Sequence, residues 1–149
     1  LTGTDPARID ALPHPTWEKR ECLIQKAHRE NYDRAYRAAG MVLREVETRE
    51  QMAAAIGPKT AMIAALASTE KAAHKDRSIM MPQEFVDLGK KTGVPVLIDV
   101  AAEIPPPETL TRFTKMGFDL VTLSGGKGLL GPQATGILAG RKDLIQAAC

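Results

Sequence analysis

Cysteine is scarce in this chain: only Cys22 and Cys149 occur among 149 residues. Two residues so far apart argue against a disulfide framework and for a reducing compartment, so a cytoplasmic location is expected. The three histidines, His14, His28 and His74, are widely separated, no His/Cys/Asp group has metal-ligand spacing, and no metal is expected. No apolar run approaches the roughly 20 residues of a membrane span, and no signal-type segment opens the chain, so no membrane association is expected. Charge bias is also missing. Twenty basic and eighteen acidic residues give a net charge of +2, with nine of each in the first fifty residues. No basic face for a nucleic-acid backbone is evident from the composition. The lysine of its glycine-rich loop follows only two glycines, and no Gly-x-x-x-x-Gly-Lys precedes a helix, which argues against a nucleotide P-loop and ATP.

A hydrophobic content of 44% in a chain of this length supports one core that buries roughly two-thirds of the unfolded surface, and so one domain. Residues 1–20, with Pro6, Pro13 and Pro15, read as an irregular lead-in to an α/β domain over 21–149. There the pattern alternates. Strands are expected at 21–27, 41–46, 60–67, 94–98, 118–123 and 135–139. A helix over 31–39 places Tyr32, Ala35, Tyr36 and Ala39 on one face; Thr48 caps a helix through Ile56, which Gly57-Pro58 ends. Pro82 opens another that closes at Gly93, and Leu110, Phe113 and Met116 mark one that Gly117 stops. This spacing predicts a mostly parallel sheet with helices on both faces. Residues 68–81 form a long polar connection without a period, of the kind that tends to be functional or mobile. The chain lacks Met at position 1 and stops inside an unfinished helix over 143–149, so it is expected to be a piece of something longer.

The segment Ser124-Gly125-Gly126-Lys127-Gly128 follows the buried run 118–123. Lys127 therefore emerges at a strand's carboxyl end, where open α/β sheets place their ligands. Asp99 closes the strand Val96-Leu97-Ile98, twenty-eight residues earlier, which is one βαβ step. A lysine and an acid at the ends of neighbouring strands are what pyridoxal phosphate requires, an amine for the Schiff base and a carboxylate for the pyridinium nitrogen. Partial burial among glycines and apolar neighbours would favour the neutral, nucleophilic amine. Gly125, Gly126 and Gly128 would let the backbone approach a bulky cofactor, and Ser124 with the loop N–H groups would bind its phosphate. The plain alternative is a solvated loop lysine and a turn-capping aspartate. His28 follows the first strand, where its ring could stack on a flat cofactor or act as acid or base, or be a half-exposed loop residue bonded to backbone. Arg29 is suited to a carboxylate or phosphate, or to solvent. Glu103, beside three prolines, reads as structural.

Val94-Pro95-Val96-Leu97-Ile98-Asp99, Met116 to Val121, Ser124-Gly125-Gly126-Lys127 and Gly131-Pro132-Gln133 resemble the selenocysteine synthase-like branch of pyridoxal-phosphate enzymes. This branch includes L-seryl-tRNA(Sec) selenium transferase and relatives similar to D-glucosaminate-6-phosphate ammonia-lyase. The segment from Gln25 to Asp33 looks closer to the ammonia-lyase-like members. The resemblance runs from about Cys22 to the end, and it implies an aspartate-aminotransferase type of fold of which this chain is part of the large domain. It further implies pyridoxal 5'-phosphate as cofactor, with Lys127 as the Schiff-base lysine, Asp99 as the pyridinium partner, Ser124 as a phosphate contact and His28 at the ring-stacking position. The glycine-rich phosphate cup and the small C-terminal domain of such enzymes have no counterpart here, and a partner subunit would contribute to the site, so a homo-oligomer is expected.

The leading expectation is a lyase or transferase that forms an aldimine with an amino acid or amino sugar acid, removes the α-proton and eliminates or replaces a β-substituent. Selenium transfer on seryl-tRNA is the second reading, and the near-neutral charge argues against it. A non-catalytic, truncated α/β module or oligomer scaffold is the third.

Overall fold

The computed structural model describes residues 1–148. Its centre is a six-stranded sheet: β1 (Glu21–Gln25), β2 (Val42–Val46), β3 (Thr60–Leu66), β4 (Val96–Asp99), β5 (Leu120–Ser124) and β6 (Gly136–Gly140), in the order β2-β1-β3-β4-β5-β6. The first five strands run parallel and β6 is antiparallel to β5. The reversal follows from the connection. No helix separates β5 from β6, and without a crossover the chain can return only in the opposite direction.

The helices are α1 (Pro6–Asp10), α2 (Arg34–Ala38), α3 (Arg49–Ala55), α4 (Glu70–Ala73), α5 (Pro82–Thr92), α6 (Thr109–Met116) and α7 (Lys142–Gln146). Their ends obey the expected chemistry. The Thr48 hydroxyl accepts from the Gln51 N–H at 3.2 Å, and Glu84 reaches back to the Met81 N–H at 2.7 Å, ahead of Pro82. Gly93 and Gly117 end α5 and α6 at φ of +72° and +112°, a region glycine enters without a Cβ clash.

Four expectations need correction. The lead-in contains α1, which begins at Pro6 and is capped by the Asp5 carboxylate on the Ala7 N–H. The first strand stops at Gln25, and a 3₁₀ turn over Lys26–His28 follows. Residues 31–39 divide into a 3₁₀ turn, Asn31–Asp33, and α2, which leaves Tyr32 70% exposed instead of on a packed face. The connection from 68 to 81 is not structureless either, since it holds part of a 3₁₀ turn (Ala67–Thr69) and then α4. Cys149, the last residue of the helix expected over 143–149, lies outside the described residues.

The core is unequal on the two faces. Leu23, Ile63, Ala65, Val96, Ile98, Val121 and Leu123 pack with Met52, Phe85, Val86 and Phe113, so α3, α5 and α6 cover one face. On the other, Cys22, Ile24 and Ala64 meet Met41 and the half-buried Tyr36 and Leu1. Burial there pushes the Cys22 thiol up to about 12, which leaves it an inert apolar group at neutral pH. Because side chains alternate across a strand, Leu66, Asp99, Thr122 and Ser124 belong to this second face. Among the described residues no helix is long and apolar enough to cross a membrane.

Candidate active site

Parallel pairing fixes a row across the second face: Leu66 of β3 stands opposite Asp99 of β4, and Asp99 opposite Thr122 of β5. Above this row, at the strands' carboxyl ends, lies a cavity of about 690 Å³ whose walls include Leu66, Asp99, Thr122, Ser124 and Lys127. That volume suits a cofactor with a small substrate. Asp99 Oδ1 accepts the Ala101 N–H at 2.8 Å, so the carboxylate does serve its turn. Its second oxygen has no hydrogen-bond partner among the described residues, and neither has the Ser124 hydroxyl. Lys127 is exposed, and its Nζ stands 5.7 Å from the centre of the Tyr32 ring, within cation–π range. An acid, a hydroxyl and an amine with unspent hydrogen-bonding capacity therefore share one concavity. They fit a group that presents a protonated ring nitrogen, an anionic ester and an aldehyde.

Two expectations about the lysine loop are corrected. Lys127 is not partly buried. The loop glycines serve the chain's own packing rather than a cofactor's approach: a Cβ at Gly128 would overlap the Ile104 carbonyl, and one at Gly126 would fall 2.5 Å from Gln133 Cα. Neither requires a positive φ. The loop folds back on itself through Gly131 N–H to Gly125 C=O and Gly125 N–H to Thr135 C=O, both 2.8 Å, which brings β6 alongside β5.

His28 is placed differently. It is 1% exposed and does not line the 690 Å³ cavity. Its Nδ1 accepts the Leu66 N–H at 3.0 Å, which assigns the ring proton to Nε2, and Nε2–H donates to the Met80 carbonyl at 3.2 Å. Phe85 meets the ring edge-on with centroids 4.8 Å apart. Burial pushes the imidazole down to about 4 against the pull of its backbone hydrogen bonds, so it is neutral at pH 7. A stacking role needs an open ring face, and the fold leaves this ring almost none. Gln25, equally buried, donates from Nε2 to the Glu47 and Ser78 carbonyls and accepts the Met80 N–H at Oε1, all within 2.8 Å. Together these two side chains fasten both ends of the connection between β3 and α5. Arg29 also faces away from the cavity and pairs with Asp33 and Glu45; that guanidinium holds the Asp33 carboxyl below its usual range.

Sequence reasoning missed Glu30, Tyr32, Gln133 and Thr135 as cavity residues, reached Ser68 only as the start of the 68–81 connection, and took Glu103, which also lines it, as structural. One signal was present: Glu30, Ser68 and Glu103 each follow the carboxyl end of a parallel strand, as Lys127 does.

Residues 32–148 match the family described as SelA, L-seryl-tRNA selenium transferase. The chain belongs to this family. SelA-type proteins are pyridoxal-phosphate-dependent enzymes, and the fold agrees. The structure of a D-glucosaminate-6-phosphate ammonia-lyase superposes with a TM-score of 0.85 at 29% identity, over 98% of this chain and 40% of that one. A double mutant of Thermus thermophilus aspartate aminotransferase superposes with a TM-score of 0.57 at 17% identity, over 88% and 37%, which shows the fold alone. Among curated relatives, a 5'-C-glycyluridine monooxygenase-decarboxylase from Streptomyces sp is 35% identical over a 159-residue alignment that takes in all of this chain and 38% of the relative. The chain thus spans about two-fifths of the length of these proteins. Its architecture is the expected one, part of the large domain of the pyridoxal-phosphate transferase fold.

Proposed function

We propose that this chain carries the cofactor lysine and its acid partner for a lyase or transferase that acts on an amino acid or amino sugar acid, removing the α-proton and eliminating or replacing a β-substituent. The observation that carries this reading is the convergence of Lys127, Asp99 and Ser124 on one cavity at the ends of adjacent strands, in a chain of a pyridoxal-phosphate family. When bound, pyridoxal phosphate withdraws electrons from the bond to the substrate's α-proton. Lys127 would hold the cofactor through its aldehyde and, once released by substrate, move the proton at the α-carbon with its amine. Asp99 would keep the ring nitrogen protonated with the oxygen that the Ala101 turn leaves free. The Ser124 hydroxyl would donate to the phosphate. His28 enters as a positioning residue, through Leu66 in the cavity wall. The whole protein is proposed to work as a cytoplasmic homo-oligomer, which sedimentation of the purified protein measures.

The test is reduction of the cofactor-loaded protein with borohydride followed by peptide mapping. A pyridoxyl group on Lys127, absent from Lys127→Ala, is expected. A protein with no such label in which Lys127→Ala changes nothing is the non-catalytic scaffold instead. The family description favours one second reading, selenium transfer on seryl-tRNA. It predicts tRNA binding that weakens steeply with salt, whereas the near-neutral charge predicts none.

A further inference from the structure

The charges around the cavity are unevenly placed. On the β5–β6 side its wall carries Ser124, Gln133 and Thr135, which are hydroxyls and an amide. On the β1–β4 side it carries Glu30, Asp99 and Glu103. Among the described residues Lys127 is the single cation in the wall, and its amine is committed to the cofactor under the proposed function. Asp99 is likewise committed to the ring nitrogen. Glu30 and Glu103 have no such assignment.

These two are also unusual among the chain's glutamates. Five glutamates are half-buried: Glu21, Glu30, Glu70, Glu84 and Glu103. Glu21 pairs with Arg44, Glu70 with Arg112 and Glu84 with Arg49. Among the described residues Glu30 and Glu103 form no ion pair, and their carboxylates accept no hydrogen bond. Arg112, whose charge senses Glu103, spends its fork on Glu70 and lies 4.8 Å over the Phe113 ring. Carboxylates that lose water on partial burial need a donor in return, and both of these face the cavity.

We propose that Glu30 and Glu103 set the substrate class of this site: the part of the substrate remote from its reacting carbon is hydroxylated or cationic, and not phosphorylated. The proposal rests on Lys127 being the cofactor lysine. Hydroxyl or ammonium donors satisfy the two carboxylates, whereas a phosphate brought beside them meets like charge in a partly desolvated wall. Ser124, which would hold the anionic ester of the cofactor, belongs to the other side of the wall, away from the two glutamates. Glu30 sits on the turn after β1, and Glu103 on the turn closed by its own N–H to the Val100 carbonyl at 3.1 Å, so neither side chain holds the fold together.

Two probes that differ by one phosphate, D-glucosaminate and D-glucosaminate 6-phosphate, decide the matter by calorimetric titration of the cofactor-loaded, full-length protein. The unphosphorylated probe is expected to bind at least about tenfold tighter. The double substitution Glu30→Gln with Glu103→Gln should bring the two affinities within about threefold of each other. Equal or tighter binding of the 6-phosphate by the wild type, no binding of D-glucosaminate, or an unchanged ratio in the double variant overturns the proposal. Borohydride mapping separates this from the parent reading. A labelled Lys127 with the wrong ratio sinks only the substrate class, and an unlabelled Lys127 sinks the cofactor assignment.

Discussion

The carboxyl ends of β1 and β5 each present a nitrogen-bearing side chain, and the two are opposites. His28 is enclosed, with both ring nitrogens spent on the Leu66 N–H and the Met80 carbonyl. Lys127 is exposed, and its contact among the charged and aromatic groups is the face of Tyr32. A buried polar group with every hydrogen bond made inside the protein stabilises the fold and has nothing left for a ligand. A polar group left unspent beside a cavity contributes little to the fold and is free for chemistry. Substitutions should therefore divide cleanly, with stability lost at the β1 end and cofactor attachment lost at the β5 end.

The largest stability effect is expected at His28→Ala. It orphans a backbone donor and a backbone acceptor and leaves a void against Phe85, at a cost of about 3 to 4 kcal/mol in urea unfolding. A cost below 1 kcal/mol would remove the distinction between the two ends. Next comes acid. The His28 imidazole is held near 4 in the folded chain, against about 6.5 when unfolded. The unfolded chain thus binds the proton first as pH falls. The stabilisation is complete above pH 6.5, falls away between 6.5 and 4, and amounts to about 3 kcal/mol over that window. The same slope should be missing from His28→Gln.

Gly128→Ala should cost about 2 kcal/mol, because the new methyl overlaps the Ile104 carbonyl, and it should displace Lys127 enough to weaken cofactor attachment. Thermal unfolding alongside cofactor binding checks both effects. The smallest stability changes, within about 0.5 kcal/mol, are expected for Lys127→Ala and Asp99→Asn. The second keeps an oxygen for the Ala101 N–H. The same pair should show the largest functional losses, complete loss of covalent attachment for the first and roughly tenfold or weaker cofactor affinity for the second.

Much of this division was legible in the sequence, because it follows from local signals. Glycine stops, proline starts and apolar runs located β3, β4 and β5 and both long helices. The rule that ligands gather at strand ends found Lys127 and Asp99 and put them on neighbouring strands, as the β4–β5 register has them. The strand order and the reversed β6 were not legible, since they depend on which strand the chain returns to. His28 shows the same limit. Its position after a strand matched a site residue, but its burial is decided by Met80 and Phe85, more than fifty residues away. Tyr32 failed in the other direction: a helical period placed it on one face with Ala35, Tyr36 and Ala39, and a 3₁₀ turn sends it into the cavity. Glu30 and Glu103 carried no period at all, and only the finished fold shows that neither has a side-chain partner among the described residues.

The contrast between a spent His28 and an unspent Lys127 is tested most directly by borohydride reduction of the pyridoxal-phosphate-loaded protein, digestion and mass mapping. A pyridoxyl group is expected on the peptide that contains Lys127, with its loss in Lys127→Ala and the fold unchanged. A label spread over surface lysines, or one unaffected by that substitution, would contradict it.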